Sequence, residues 1–244
     1  VDRTIALIDQ NLLLLPLLQP QNLSEERSHC ERDPSWNPIL CYPKLPEDID
    51  MWEKRLGDLV CDDSPLGIIL QKKQEELFAR IALLRARGNT HTFTKASMKL
   101  FGQTTDALQH AAEISIAQRA ACDLPTAPNL LLPTEMAEQR LNEALSSYGL
   151  HEWSVRRRKN MVADCAVGGK HIYLRHGARF APDHIATLIA HEIETHALTT
   201  ENGEHQPFQI FRRGCANYSE TQEGLAIFHQ NRILSPYHEK RFSA

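Results

Sequence analysis

The chain reads as an α+β protein that is predominantly helical, on three observations. Its first half repeats apolar residues at three- and four-residue spacing, interrupted by Pro, Asn, Asp and Gly. Short runs rich in β-formers cluster once, between residues 153 and 175. Helical spacing then returns from Pro182, and 42% hydrophobic content over 244 residues suffices for a substantial core.

Taken in order, helices are expected over Thr4–Leu18, Asp48–Cys61, Leu66–Arg87, Lys95–Phe101 and Asp106–Ala121, an N-terminal helical region spanning residues 1–130. In the third, Ile69, Leu77, Ile81 and Leu84 form a core stripe opposite Lys72, Lys73, Glu76 and Arg80. Leu12–Leu18 contains Pro16 and falls far short of the roughly 20 residues of a membrane span, so it is expected as a buried helix end. Cys122–Pro133, with three prolines, is the best boundary to a second region, 131–244. There Thr134 should open a helix to Tyr148, stopped by Gly149. Trp153–Arg158, Met161–Val167 and Lys170–Arg175 are expected as strands of a small antiparallel sheet with Gly168-Gly169 as a hairpin turn. Lys170–Arg175 is the candidate edge for pairing with a substrate backbone. Helices over Pro182–Leu198 and Ser219–Ile233 complete the chain.

A net charge of −4 gives no general attraction to nucleic acid, and no signal peptide is visible. The six cysteines lack a Cys-x-x-Cys pair, which argues against a zinc ribbon or a thioredoxin-like site and for reduced thiols in a cytoplasmic protein. Cys165 and Cys215 flank the motif described next, where buried packing competes with a catalytic thiol.

The chemistry concentrates in His191-Glu192-Ile193-Glu194-Thr195-His196 and Thr221-Gln222-Glu223-Gly224-Leu225-Ala226. Histidines four apart on an α-helix share one face, but here the spacing is five, which turns the second ring about 140° away. A π-bulge absorbs one extra residue, so one is expected around Ile193–Thr195. His191 and His196 would then supply two nitrogens to a metal, and Glu192 would be the general base. Glu223, 27 residues after His196, is the candidate third ligand, leaving the fourth position open as in catalytic zinc. Twelve histidines make a chance His-Glu pair unremarkable, and a solvated helix face is the competing reading. Tyr218 either donates to an oxyanion or packs against its helix. Glu194 either faces solvent or orients His196. Arg156-Arg157-Arg158-Lys159, Arg175 and Arg179 are candidates to bind a terminal carboxylate, against a solvated strand edge.

His-Glu-x-x-Thr-His followed by Gln-Glu-Gly-Leu-Ala resembles the QEGLA-motif family, bacterial proteins related to the vertebrate tubulin tyrosine carboxypeptidases. The likeness extends to Glu201–Pro207, Ile210-Phe211, Gly214 and Tyr218 between the two motifs, to Thr90–Ser97 with Leu100-Phe101-Gly102, and to the Pro38–Tyr42 region. It implies zinc bound by His191, His196 and Glu223, Glu192 as the catalytic carboxylate, and a gluzincin-like metallopeptidase core acting as a carboxypeptidase on a peptide or protein C-terminal tail. Phe101 stands where the family commonly has tyrosine, which reads as a packing substitution. Starting at Val1 and ending at Ala244, the chain reads as trimmed and as lacking a C-terminal helical part. The competing classes are a metal-binding regulatory or interaction protein without peptidase turnover and a hydrolase of non-peptide amides.

Overall fold

The computed structural model describes residues 1–121, 131–159, 161 and 163–233. In chain order the elements are α1 (Asp2–Asn11), α2 (Leu14–Leu18), α3 (Leu23–Arg32), α4 (Ile49–Gly57), α5 (Pro65–Arg85), α6 (Thr90–Phe101) and α7 (Asp106–Ala121). Then come β1 (Leu132–Pro133), α8 (Thr134–Ser147), β2 (Ser154–Arg158), β3 (Cys165–Gly168), β4 (His171–Arg175), β5 (Arg179–Phe180) and α9 (Pro182–Leu188). A π-helix (Ile189–Ala197), α10 (Leu198–Glu204), α11 (Gln209–Arg213) and α12 (Tyr218–Ile233) follow. The protein is thus a predominantly helical α+β fold with small sheets. It divides into two compact units, Val1–Asp123 with Phe208–Ala216, and Leu124–Pro207 with Asn217–Ala244. The boundary expected at Cys122–Pro133 lies largely outside the described residues.

In the first unit, Ile5, Ile8 and Leu12 at the end of α1 pack with Leu70, Leu77, Ile81 and Leu84 of α5, Leu56 of α4 and Ile210 of α11. The α5 stripe therefore forms as its spacing predicts, with Ile69 partly buried against it. The opposite face does not: Lys73 is 0% exposed rather than solvated. Positions 73, 76 and 80 make a second, polar stripe of α5. Lys73 Nζ lies 3.2 Å from Asp9 Oδ1 and 3.1 Å from Glu76, and Arg80 pairs with both acids. Arg213 Nε adds a bond of 2.9 Å to the other Asp9 oxygen. A buried ammonium persists only when paired in this way, which periodicity alone cannot reveal.

The single helix expected over Thr4–Leu18 is two. The backbone leaves helical geometry at Leu12 (ψ 72°), and α2 restarts with Pro16 in its first turn, where a missing N–H costs nothing. Residues of α2 are not fully buried, contrary to the buried end expected there. The unexpected helix α3 holds the Pro38–Tyr42 region: Glu26 accepts from Trp36 Nε1 and the Ile39 amide, and Asn22 bonds Ile39 O and the Cys41 amide. Phe101 is 61% exposed, so the substitution there is not one of packing. Asp2 accepts from the Gln209 and Ile210 amides at 2.8 and 2.9 Å, neutralising the unpaired N–H groups that open α11.

In the second unit the sheet order is β2-β4-β3, with β2 parallel and β3 antiparallel to β4. The sheet is mixed rather than antiparallel, and β4 is its central strand rather than an edge. The β3–β4 hairpin inserts its second strand against β2, and Ile172 and Leu174 of β4 enter the core. Gly168 pairs with His171, so the turn residues are Gly169 and Lys170, one later than expected, with Gly169 at φ 61°. A second ladder pairs β1 with β5. Thr134 does not cap α8; it is buried and donates to Ala178 O at 2.6 Å. Gly149 does stop that helix, at φ 70°, with Leu150 N bonded to Leu145 O. Among the described residues no helix is long and apolar enough to cross a membrane.

Replacing Asp9, 4% exposed, by Ala leaves Lys73 buried with Glu76 as its remaining acidic partner. The expected loss is about 3–5 kcal/mol of stability, read from urea unfolding of wild type and variant.

Candidate metal centre

The helix carrying the first motif runs without a break from Pro182 to Glu204, and its middle nine residues, Ile189–Ala197, are a π-helix. The π segment covers and extends the bulge expected at Ile193–Thr195. Its bonds close from residue i to i+5, so side chains five apart stack as side chains four apart do on an α-helix. His191 and His196 consequently lie together, ring centroids 4.8 Å apart. Ile193 and Ala197 meanwhile fill the core below, which anchors the segment.

Helix α12 packs against this segment and brings Glu223 over the two rings. Its carboxylate oxygens lie 3.4 Å from His191 Nε2 and 3.5 Å from His196 Nε2. One ligand atom from each residue falls within 4.8 Å of the others. Zinc bonds of 2.0–2.2 Å at tetrahedral angles place neighbouring donors about 3.4 Å apart, so the Glu223 separations suit an ion between the residues better than direct hydrogen bonds. Two imidazole nitrogens and one carboxylate are also the donor set of open, catalytic zinc sites.

Glu192 is 8% exposed. Burial pushes its carboxyl up, the two imidazoles pull it down, and Glu223 raises it again. Cys165 of β3 lies beside this carboxylate, and burial first, then the Glu192 charge, hold its thiol well above the ordinary range. A thiol so held is a poor nucleophile, which favours the packing reading of Cys165 over the catalytic one.

Several supporting groups were not legible as such in the sequence. Gln222 Oε1 is 3.4 Å from His196 Nδ1, and its amide nitrogen is 3.4 Å from Thr199 Oγ1. Its place beside Glu223 was the available signal, because ligating histidines usually bond a partner through the second nitrogen. Buried Thr195 contacts both Ala190 O and His229 Nδ1. Glu194 neither faces open solvent nor orients His196: it accepts a hydrogen bond from Tyr148.

Four of the cationic candidates are engaged elsewhere. Arg157 pairs with Glu135 and Glu138, Arg158 lies 3.4 Å over the Tyr173 ring, Arg175 bonds Asp164, and Arg179 donates to Leu131 O. Arg156 and Lys159 are exposed at β2, while β3, at the opposite edge, carries the thiol that reaches Glu192. Tyr218 is the first residue of α12.

A protein-family model described as microtubule-associated tyrosine carboxypeptidase matches residues 28–237, most of the chain. No curated protein and no solved structure gives a significant match.

The Tyr148 phenol is pushed up to about 12 from 10.0, chiefly by its bond to Glu194 and then by burial. A folded-state value above the unfolded one contributes stability that is complete below pH 10 and is lost as the pH rises towards 12. Ultraviolet titration should show one late-ionising tyrosine that Glu194→Gln returns towards the ordinary value.

Proposed function

The chain belongs to the microtubule-associated tyrosine carboxypeptidase family, and on that premise we propose that it is a zinc-dependent carboxypeptidase acting on the C-terminal tail of a protein or peptide. The observation carrying this reading is the convergence of His191, His196 and Glu223 next to a buried Glu192. Both histidines and the base on one helix, with the acidic ligand on α12 packed against it, support a gluzincin-like core. The five described cysteines are unpaired, which supports a reducing, cytoplasmic setting.

When bound at these three residues, zinc supplies a Lewis acid that makes a water acidic near neutrality and polarises a peptide carbonyl. Glu192 takes the proton of the attacking water and returns it to the departing amine. Its raised carboxyl suits a group that must accept and release a proton in one cycle. The Cys165 thiol lies beside the Glu192 carboxylate. Tyr218, half-exposed in the first turn of the helix that bears Glu223, donates to the oxyanion in this reading. An extended tail would pair with the outer edge of β3, since β4 is enclosed between its neighbours and β3 adjoins the base.

Incubation with matched peptides bearing free or amidated C-termini, including tyrosine-ended ones, should release the last residue from the free forms only. Glu192→Gln should retain metal while its rate falls by about 10²–10⁴-fold. Undiminished hydrolysis by that variant would remove the mechanism, and no cleavage of any peptide by a zinc-loaded wild type would favour a regulatory role.

A further inference from the structure

Glu223 is 57% exposed on its side chain, so its own burial does not hold it against the two histidines. Its position is inherited from the helix that carries it, and what fixes that helix in rotation and height becomes part of the metal centre. Gln222 and His229 are seven residues apart on α12, about 20° short of two full turns, and therefore share one stripe. Each bonds a different one of two consecutive π-helix residues: Gln222 reaches His196, and His229 reaches Thr195. Between them Ala226 is fully buried, its methyl small enough for the two helices to approach closely.

The bond to Thr195 has a defined polarity. Thr195 is fully buried, and its hydroxyl lies 3.0 Å from Ala190 O and 3.0 Å from His229 Nδ1. A carbonyl can only accept, so with the hydroxyl proton on the bond to Ala190 O, the contact with His229 is satisfied when Nδ1 carries a proton and donates. Ala190 lies five residues before Thr195, so the hydroxyl braces one turn of the π segment while it receives the bond from α12.

We propose that Thr195 and His229 form a clamp which, together with Gln222 on His196, sets Glu223 opposite His191 and His196, and that His229 is thereby a positioning residue of the metal centre. This rests on the reading of those three residues as ligands. Loss of the clamp leaves every ligand present but lets α12 rotate and slide. The consequence is weaker metal affinity without loss of the fold, in the range of about 10–100-fold typical of groups that orient ligands.

Two readouts test it on the full chain. Nitrogen-15 spectra of the histidine rings in metal-free protein at a pH where His229 is neutral should place the His229 proton on Nδ1 in wild type and Thr195→Ser, and lose that preference in Thr195→Val. Zinc affinity, measured by competition with a chromophoric chelator, should fall about 10–100-fold in Thr195→Val and His229→Phe, while the metal-free proteins keep a cooperative thermal transition. It should be largely kept in Thr195→Ser and in His229→Asn, whose amide can donate from the same side as Nδ1. An Nε2-protonated His229, or wild-type zinc affinity in both Thr195→Val and His229→Phe, overturns the clamp. Absence of zinc binding by wild type overturns the ligand reading instead and, with it, the clamp's role in a metal centre, while the ring spectra still decide the Thr195–His229 bond itself.

Discussion

One surplus residue between His191 and His196 governs the second unit. On an α-helix it would send the rings to different sides, and the carboxylate on α12 could meet only one of them. Winding Ile189–Ala197 as a π-helix restores the alignment, but every residue beyond the widened turns then takes a different azimuth from the one an α-helix would give. The fold accommodates this by giving the segment partners on each side. Ile193 and Ala197 enter the core, Thr195 bonds within the segment and to α12, and Glu192 turns towards Cys165. A wide helix is poor local geometry, so its persistence here depends on these contacts as much as they depend on it.

Glu192 occupies a position of opposed influences. Burial favours its neutral form, while the histidines beside it favour the charged form. Burial is the larger influence and the carboxyl is held above its ordinary range, the setting that the proposed proton carrier needs. The neighbouring Cys165 thiol is pushed up by the same burial and by the Glu192 charge.

Much of this was readable in advance, for identifiable reasons. Helices whose apolar spacing faces a single core, such as α5 and α8, declare themselves, and the five-residue histidine spacing demanded a π turn once a metal was supposed. What escaped is tertiary. Lys73 looks solvated in one dimension because its acidic partner Asp9 lies 64 residues away, and Thr134 resembles a cap until β5 and its approach supply a carbonyl. The strand order was misjudged because alternation reports which faces are buried and says nothing about neighbours. Glu194 paired with Tyr148 across 46 residues, a link that no local spacing encodes.

The bonds from Asp2 and Asp9 to α11 span more than 200 residues of sequence. Ribosomal synthesis at about 5–20 residues per second delivers the first unit's long helices many seconds before Arg213 exists to complete them. Closing a loop of that length is entropically unfavourable and comes late in folding. Meanwhile the ion cluster around Asp9 is one arginine short, and the apolar seat of Ile210 lies open to solvent or to a chaperone. The nascent first unit therefore waits for the segment that joins the histidine-bearing helix to α12, so its maturation is timed by the chain that builds the candidate metal site.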